Sequence, residues 1–368
     1  MKRNSLVELE NDGQGVWLDY IRRDLFSSGE LKRLINEDGI TGMTSNPTIF
    51  EKAITSSTDY DAQIRDLLGS NPNMPAEILY EKIAIQDIQS AADFLLPIYN
   101  RLEKADGFVS LEVSPLLAQD TQATIVQARR LWKDVARPNI MIKVPGTKNG
   151  IPAIAALISE GININITLMF TMAHYDAVTQ AYIRGLLSAK KPESVASVAS
   201  FFVSRVDTVV DKALTVIGSK DALDLRGLVA IANSKMIYRR FKEIFYGDPF
   251  AALKKKGARV QRPLWASTST KNPNYPDVLY VEALSGRDTV NTIPPDTLYE
   301  FRDHGVAKKN AVEEGKPQEV LASLAKLGID LNAVGEKLQQ DGVDSFALSY
   351  KKLLSALEEK SKTIRGKS

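Results

Sequence analysis

The sequence predicts a closed (β/α)8 barrel, an α/β fold, with additional C-terminal helices, and two patterns lead to that prediction. Strand-like and helical segments alternate from VWLDYI near the N-terminus to VLYVEAL, which gives eight strand candidates. Strands that alternate with helices pair in parallel, and eight such units favour a closed barrel over an open doubly wound sheet. From about Val306 only helical patterns remain. We therefore expect a catalytic barrel domain of residues 1–305 and a helical extension of residues 306–368 packed on it.

The first part of the chain predicts the order strand, helix, strand and then helices. The short apolar run VWLDYI is interrupted by Asp19, and SSGELKRLINEDGI predicts a helix that ends at Gly39. In TGMTSNPTIFEKAI, the pair Asn46-Pro47 breaks the chain, so a new helix can start there. Apolar residues at helical spacing then predict a long helix from Pro75 to Leu102. No GxGxxG follows the first strand, which removes the usual mark of a dinucleotide-binding sheet.

The same alternation continues through the middle of the chain. The remaining strand candidates are FVSLEV, NIMIKV, ININITLMF, SVASFFVSRV, RPLWAST and VLYVEAL. Helical patterns separate most of them, including one from Asp221 to Tyr246. Beyond Val306, three amphipathic helices are predicted in AVEEGKPQEVLASLAKLG, DLNAVGEKLQQDG and DSFALSYKKLLSALEEKS. Because their apolar faces need a surface to cover, we expect these helices to pack on the barrel.

The composition is that of an ordinary globular protein and excludes several classes of site. The 368 residues are 44% hydrophobic and carry a formal charge of +2, which gives no argument for a nucleic-acid or membrane partner. Without cysteine there are no disulfides or thiolate metal sites, and His174 and His304 are too far apart to suggest a zinc site or a catalytic triad. The segment ELENDGQG is polar where a signal peptide would be apolar, and no run has the length of a membrane span. We expect a cytoplasmic protein.

One lysine is notable because it ends a buried strand. In NIMIKVPGTKNGI, the strand-like run Asn139–Ile142 leads into Lys143, and a Pro-Gly pair ends the run. An ammonium group beside Ile142 and Val144 loses hydration and must find a partner or give up its proton. The neutral amine is the form that attacks a ketone to give a Schiff base. The alternative is a lysine that extends past the strand end and pairs with a surface carboxylate.

The segment GININITLMF alternates between polar and β-branched residues. Asn163, Asn165 and Thr167 share one face, and three isoleucines share the other. In a parallel barrel the apolar face meets the helices, so the polar face must point into the barrel. Barrel interiors are normally apolar, so these side chains require partners such as a substrate, ordered water or Lys143.

Other strand candidates also end in polar residues, all of which would project to the carboxyl-terminal face of a barrel, where the chemistry of this fold is located. Each residue alone is more simply a helix N-cap or part of a surface ion pair, but the recurrence favours a site. Asp19, Glu112 and Lys143 could move protons and attack a carbonyl group. Substrate hydroxyls or a water could be held by a second group, Asn46, Asn165, Thr167 and Ser200. A phosphate could be held by a third group, Arg205 and Lys271. No cluster has the spacing of metal ligands, so a protonated imine would have to act as the electron sink.

Four segments, TSNPTIFEKAI, VSLEVSP, IMIKVPGTKNG and GININITLMF, resemble the signature segments of transaldolases in their longer bacterial form. The resemblance runs from about Trp17 to LGIDLNAVGEKLQQDGVDSF near the C-terminus. It implies a transferase of the pentose phosphate pathway with class I aldolase chemistry and no cofactor. Such an enzyme moves a dihydroxyacetone unit from sedoheptulose 7-phosphate or fructose 6-phosphate to an aldose phosphate such as glyceraldehyde 3-phosphate or erythrose 4-phosphate. The resemblance leaves a homo-oligomer open.

The resemblance also implies a role for each matching catalytic position. Lys143 falls on the Schiff-base lysine of the family, and Glu112 and Thr167 fall on the pair that holds the catalytic water. Asp19 matches the acid/base that takes the proton from the C4 hydroxyl of the donor. An enamine attached to the lysine would then wait for the acceptor aldehyde, and exclusion of water from it would make the enzyme a transferase.

The substrate-binding positions follow in the same way, with one departure. The resemblance implies that the amides of Asn46 and Asn165 contact the substrate. It also implies that Ser200 and Phe202 line the pocket and that Arg205 binds the phosphate. Better-known relatives have an arginine two residues beyond the serine of the seventh strand, whereas this chain has Ser267 followed by Ser269. Lys271 would then supply the second positive charge of the phosphate site.

Two rival functions are compatible with part of this pattern. The first is an aldolase of the same fold and imine chemistry that releases dihydroxyacetone to water. The second is a non-catalytic sugar-phosphate-binding barrel in which Lys143 only pairs with Glu112. The joint presence of Asp19, Glu112, Lys143 and Thr167 argues against the second.

Overall fold

The computed structural model describes residues 4–365, and its eight strands form a closed parallel barrel in chain order. The strands are β1 (Gln14–Leu18), β2 (Gly42–Thr44), β3 (Val109–Glu112), β4 (Ile140–Pro145), β5 (Ile164–Met169), β6 (Ser197–Phe202), β7 (Arg262–Ala266) and β8 (Thr289–Ile293). β8 closes the barrel by pairing with β1 over its whole length. The predicted (β/α)8 barrel is thus confirmed.

Helices surround the barrel between successive strands and continue beyond β8. Within residues 4–365 they are α1 (Ser5–Asn11), α2 (Arg23–Ser27), α3 (Glu30–Asp38), α4 (Pro47–Thr55), α5 (Asp61–Ser70), α6 (Ala76–Arg101), α7 (Thr121–Val135), α8 (Gly150–Ser159), α9 (Met172–Ser188), α10 (Ser204–Ile217), α11 (Lys220–Leu223), α12 (Val229–Phe245), α13 (Asp248–Lys255), α14 (Leu279–Ala283), α15 (Pro295–His304), α16 (Pro317–Lys326) and α17 (Leu331–Arg365). None of the described helices is long and apolar enough to cross a membrane.

Local sequence signals place most elements where they were predicted. Helix α3 ends at Gly39, whose φ of +68° lies in the left-handed region that glycine adopts without strain. Helix α4 begins after Asn46, whose Oδ1 accepts a hydrogen bond from the backbone N–H of Ile49 at 3.0 Å, and Pro47 occupies its first turn. All residues of β4 and β5 are buried, because helices cover the outside of the barrel and side chains fill its interior.

The prediction of the eighth strand is wrong. VLYVEAL contains the short helix α14, and Val278 before it, Val281 within it and Leu284 after it are buried at helical spacing. The strand that closes the barrel is TVNTI, which carries two threonines and an asparagine and so shows no apolar run. A short run of seven residues, six of them apolar or aromatic and one a glutamate, does not distinguish a strand from a buried helical turn, and here tertiary packing selected the helix.

Two helix predictions also differ from the structure. The helix predicted from Asp221 to Tyr246 is divided into α11 and α12 around Gly227, whose φ is +72°, and α10 was not predicted. The last two predicted helices are one continuous helix, α17, which passes through Gly342. A Cβ at Gly342 would lie 2.7 Å from Leu168 Cδ2. Glycine at this position therefore lets α17 approach the barrel closely and does not end the helix.

Helix α17 lies across the carboxyl-terminal face of the barrel. Gln339 Nε2 donates hydrogen bonds to the carbonyl oxygens of Gly146, just after β4, at 3.1 Å and of Leu168, in β5, at 2.9 Å. Further along the helix, Leu353 and Leu357 are buried and belong to the same hydrophobic core as the barrel. The helix thus covers the end of the barrel to which the polar strand ends project.

Candidate active site

A cavity of about 240 Å³ opens at the carboxyl-terminal ends of the strands. Its walls come from strand ends, from the turns that follow them and from α17, and they include most of the predicted site residues: Asp19, Asn46, Lys143, Thr167, Ser200, Phe202, Arg205, Ser267 and Lys271. The two other predicted residues, Glu112 and Asn165, are buried and contact Lys143 and Ser200, respectively. The barrel therefore brings the predicted residues together, as parallel strands that end at one face require.

Lys143 is only 5% exposed and has two polar neighbours. Its Nζ lies 3.3 Å from Glu112 Oε2 and donates a hydrogen bond to the carbonyl oxygen of Ser45 at 3.1 Å. The parallel register of β3 and β4 places Glu112 directly beside Lys143. Burial raises the pKa of Glu112 above its usual range, and the nearby lysine opposes that rise. The lysine thus pairs inside the barrel, so the predicted alternative of a surface ion pair is wrong.

Asp19 faces the same cavity from the end of β1. Thr44 Oγ1 donates a hydrogen bond to Asp19 Oδ1 at 2.6 Å, and the hydroxyl oxygens of Thr44 and Thr292 are also 2.6 Å apart. Burial raises the pKa of Asp19, while the charge of Lys143, the threonine hydrogen bond and the charge of Arg205 act in the opposite direction. A carboxyl group with increased proton affinity is suited to accept and return a proton during catalysis.

The polar face of β5 points into the barrel, as the alternation predicted. Asn165 is held by two serines, because its Nδ2 donates to Ser110 Oγ at 2.9 Å and its Oδ1 accepts from Ser200 Oγ at 2.6 Å. Thr167 Oγ1 is buried and has no hydrogen-bond partner among residues 4–365, and Glu112 Oε2 is buried with only the Lys143 ammonium, 3.3 Å away, beside it. Buried polar atoms are nearly always satisfied, so these two oxygens are suited to bind a water or a substrate hydroxyl.

Three cationic side chains contribute to the cavity wall. Arg205 lies in the first turn of α10, Lys271 follows β7, and Lys52 lies on α4. Burial lowers the pKa of Lys271, and repulsion from Arg205 and then from Lys52 lowers it further. Within the part of the chain that the structure describes, none of the three side chains forms an ion pair with a carboxylate. A group of three cations without a direct ion-pair partner is suited to an anionic substrate.

The loop after β7 is fastened to the start of α10. Ser267 has a φ of +56°, which is strained for a serine, and its Oγ lies 3.0 Å from Ser204 Oγ. The backbone N–H of Ser204 donates to the carbonyl oxygen of Ser267 at 3.0 Å. Lys271 Nζ donates to Ser269 Oγ at 2.7 Å. These contacts hold the loop that carries Lys271 against the start of α10, which carries Arg205.

Two aromatic rings flank the Arg205 guanidinium. Its central carbon lies 4.9 Å from the centre of the Phe202 ring and 5.8 Å from the centre of the Phe346 ring. Phe346 comes from α17, and the centre of its ring lies 5.9 Å from Lys143 Nζ. All three distances are within the range of cation–π attraction. The helical extension thus contributes a side chain directly to the cavity.

Sequence reasoning missed Thr44, Lys52, Thr292 and Phe346, which also line the cavity. Thr44 ends β2 and could have been found by the strand-end argument that selected its neighbours. Thr292 lies in the strand that was misplaced. Lys52 and Phe346 lie on helices, where no local pattern indicates which face meets the cavity.

The chain matches the model of one protein family over most of its length. The model is described as Transaldolase/Fructose-6-phosphate aldolase, and it matches residues 16–357. The match includes every residue assigned above to the cavity wall and most of α17.

Proteins named transaldolase that are similar along nearly their whole length occur in several bacteria. The chain is 47% identical over 361 residues to the Transaldolase of Thiobacillus denitrificans, an alignment that covers 96% of this chain and 99% of that protein. It is 44% identical over 381 residues to Transaldolase 2 of a Nostoc species, with 99% of both chains covered. Its identity to the Transaldolase of Mycolicibacterium smegmatis is 45% over 360 residues, with 96% of both chains covered.

Proposed function

The chain belongs to the transaldolase family and has transaldolase activity, and we propose that it acts through a Schiff base on Lys143. The observation that carries this proposal is the position of Lys143, a buried lysine that faces a cavity and lies 3.3 Å from a carboxylate. A lysine that attacks a ketone needs a nearby group to take its proton and a site shielded from water. Both are present around this side chain.

Glu112 and Thr167 support the formation and hydrolysis of the imine. With the pair in its neutral form, Glu112 gives its proton to the C2 oxygen of the donor ketose as the Lys143 amine attacks C2. It then takes one proton from the nitrogen and passes it to the C2 hydroxyl, which leaves as water, so that an iminium and the Glu112 carboxylate remain. The raised pKa of Glu112 suits a group that both takes and gives a proton. Thr167 Oγ1, a buried hydroxyl without a protein partner, holds the water that the reverse step consumes.

Asp19 acts in the cleavage of the carbon–carbon bond. It takes the proton of the C4 hydroxyl, the C3–C4 bond breaks, and its electrons move to the iminium nitrogen, which leaves an enamine on Lys143. The aldose phosphate departs as an aldehyde. The enamine carbon then attacks the acceptor aldehyde, Asp19 returns the proton to the new alkoxide, and hydrolysis of the imine releases the new ketose.

The remaining predicted residues hold the substrate. Asn46 uses its Oδ1 to cap α4, so its Nδ2 serves the substrate hydroxyls. Asn165 and Ser200 form a hydrogen-bonded pair whose role is to shape the wall next to the three-carbon unit, and Phe202 packs against Arg205. These roles rest on the positions of the side chains around the cavity.

The phosphate of the sugar binds to the three cationic side chains. Arg205 supplies a planar fork of donors, and Lys271 supplies the second positive charge in place of the arginine expected two residues beyond Ser267. Lys52 adds a third charge from α4. Ser267 and Ser269 are close enough to these groups to donate further hydrogen bonds, as the Lys271 to Ser269 contact indicates.

Borohydride trapping tests the Schiff base directly. The protein is incubated with fructose 6-phosphate and reduced, and peptide mass spectrometry locates any added three-carbon group, which we expect on Lys143. Lys143→Ala should abolish the adduct, whereas Lys148→Ala, which removes an exposed lysine five residues away, should leave it unchanged. An adduct on another lysine, or none although the sugar binds, would contradict the proposal.

The aldolase rival is tested by comparing turnover with and without an acceptor aldehyde. Glyceraldehyde 3-phosphate formed from fructose 6-phosphate at the same rate without an acceptor would favour the aldolase. The non-catalytic barrel is excluded if the Lys143 adduct forms.

The organisation and location of the protein follow as further proposals. Residues 306–368 form an extension and not a separate domain, because buried residues of α17 such as Leu353 share the core of the barrel; residues 366–368 lie outside the described part. A cytoplasmic location agrees with phosphorylated substrates, whose charges keep them from crossing a membrane unaided. Assembly into a homo-oligomer stays a prediction, which light scattering would test.

A further inference from the structure

We infer that Phe346 is a specificity-determining residue that keeps water from the enamine on Lys143, so that transfer to an acceptor is favoured over release of dihydroxyacetone. The inference rests on the proposed Schiff-base mechanism and assigns a role to a residue outside the barrel strands. The residue lies on α17, in the extension of residues 306–368.

The position of the ring supports this role. Phe346 is 5% exposed, it lines the cavity, and the centre of its ring lies 5.9 Å from Lys143 Nζ and 5.8 Å from the Arg205 guanidinium carbon. The ring is therefore within cation–π range of both the reactive nitrogen and the phosphate-binding arginine. A phenyl ring offers no donor or acceptor that could order a water there, in contrast to the threonines, serines and amides of the strand ends.

The helix that carries the ring is held tightly on the side of β5. Gln339 Nε2 donates to two backbone carbonyl oxygens, those of Gly146 and Leu168, and is 8% exposed. At Gly335 and Gly342 the helix backbone comes so close to the barrel that an added Cβ would lie 2.0 Å from Thr171 Cγ2 and 2.7 Å from Leu168 Cδ2. Gly335, Gln339, Gly342 and Phe346 recur at spacings of four, three and four, so they share one helix face.

Contacts beyond Phe346 fix the helix on the side of β2. Ser349 Oγ accepts a hydrogen bond from Thr48 Oγ1 at 2.9 Å. Lys360 Nζ donates to the carbonyl oxygens of Ile54 at 3.0 Å and Ser57 at 2.7 Å and lies 2.7 Å from Asp61 Oδ1. These contacts join α17 to the end of α4, the helix that carries Lys52. Phe346 thus lies between two anchored parts of one helix and is held over the lysine.

The backbone of β5 is strained where α17 packs against it, which supports a functional role for this contact. Leu168 has a φ of +61°, uncommon for a leucine, and the pairing of β5 with β6 shifts register between Ile166 and Met169. This irregularity includes Thr167 and Leu168, and α17 approaches Leu168 through Gln339 and Gly342. Strained backbone persists where the surroundings determine it, and such sites cluster at functional sites.

The chemical consequence concerns the fate of the enamine. In transfer, its nucleophilic carbon forms a bond to the acceptor aldehyde. In release, the same carbon takes a proton, which re-forms the iminium; water then adds to the C2 carbon, the C–N bond breaks, and dihydroxyacetone leaves as Lys143 regains its amine. The water consumed equals the water lost when the imine formed, so the net change is cleavage of fructose 6-phosphate into dihydroxyacetone and glyceraldehyde 3-phosphate. A ring that excludes water from the carbon slows the second fate and leaves the first open.

The test measures how the enamine divides between the two fates. For each variant, glyceraldehyde 3-phosphate is followed from fructose 6-phosphate alone and in the presence of erythrose 4-phosphate, and the ratio of release to transfer is calculated. We expect Phe346→Ala to raise this ratio by about tenfold or more, equivalent to a change in relative barrier height of about 1.4 kcal/mol. Phe346→Leu keeps most of the apolar volume, so its ratio should lie between those of the wild type and the alanine variant.

Two variants of the same helix control for a general effect on α17. Leu353→Ala removes a side chain that is 0% exposed but does not line the cavity, and Leu348→Ala removes one that is 55% exposed. Both should keep the wild-type ratio. If Phe346→Ala does not fold, the ratio of Phe346→Leu decides in its place.

The outcomes separate this inference from the proposed function. A wild-type protein without a Lys143 adduct would refute the Schiff base itself. A wild type that labels and transfers, together with an unchanged ratio in the folded Phe346 variants, would overturn only the role of Phe346. An equal rise of the ratio in Leu353→Ala would also overturn it, because the effect would then belong to helix packing.

Discussion

Replacing Asp207 with asparagine is expected to stabilise the protein at alkaline pH and to have little effect at acidic pH. Asp207 lies on α10 and is 2% exposed. Its carboxylate accepts hydrogen bonds from the backbone N–H of Ala230 at 2.7 Å and from the Tyr280 hydroxyl at 2.9 Å. Burial raises its pKa from 3.8 to about 7, these two hydrogen bonds oppose the rise, and the nearby Asp211 adds to it.

The sign and size of the effect follow from this shift. Between pH 3.8 and about 7, Asp207 is protonated in the folded protein and ionised in the unfolded chain. The folded state therefore binds the additional proton, and the stability contributed by this group falls as the pH rises through that window. One pKa unit corresponds to about 1.4 kcal/mol, so the free energy of unfolding should fall by up to about 4 kcal/mol because of this carboxyl group. Asparagine is uncharged at all of these pH values and removes the dependence.

Urea unfolding of the wild type and Asp207→Asn at pH values from 5 to 8 measures the effect. The difference in free energy of unfolding between the two proteins cancels the contributions of all other groups and should grow in favour of Asp207→Asn as the pH rises. Asp221→Asn, which removes an exposed carboxylate from α11, controls for the loss of one negative charge. A difference between wild type and Asp207→Asn that stays constant from pH 5 to 8 would refute the reasoning.

Three further predictions concern the proposed catalytic and binding groups. Glu112→Gln should lower kcat by about 10²–10⁴-fold, because a general acid–base group is lost, and single-turnover trapping should show that imine formation itself is slowed. Asp19→Asn should still give the borohydride adduct of the intact donor sugar but should no longer cleave it, and an adduct of three carbons would contradict the role of Asp19. Lys52→Ala and Lys271→Ala should each raise the KM for fructose 6-phosphate with a smaller change in kcat and weaken inhibition by inorganic phosphate. Unchanged inhibition by phosphate in both variants would place the phosphate elsewhere.

The site residues that could be predicted from the sequence are those whose positions follow from the ends of the strands. Lys143, Asp19 and Arg205 could be assigned to one place because the ends of parallel strands converge at one face, so a sequence that shows the strands also shows the site. The same argument found Glu112 and Asn165, although both lie behind the side chains that line the cavity. The depth at which the two side chains lie depends on packing inside the barrel. The alternation of residues along one strand does not indicate that packing.

The parts that were not predicted depend on contacts between distant segments. Strand β8 is polar because its side chains bond to neighbouring segments of the barrel. Gln14 Nε2, in β1, donates to Thr289 Oγ1 at 2.9 Å, and Thr268 Oγ1, just after β7, donates to Asn291 Oδ1 at 2.9 Å. Propensity therefore did not distinguish it from a loop. Gly342 suggested the end of a helix, since nothing local indicates that the barrel wall lies against it. Phe346 is one apolar residue in an amphipathic helix, and only the docked helix shows that it covers a lysine about two hundred positions earlier.

The place of α17 in the chain also determines when the catalytic centre becomes complete. All eight strands precede this helix, so during synthesis they leave the ribosome before Phe346 does, together with the lysine, the carboxylates and the cationic side chains of the site. A nascent chain of that length would have the means to bind sugar phosphate and form an imine but no cover for it. The protein would thus become a transferase only when α17 docks. A nascent chain stalled before α17, or a proteolytic fragment without it, would release the three-carbon unit of the donor sugar as free dihydroxyacetone.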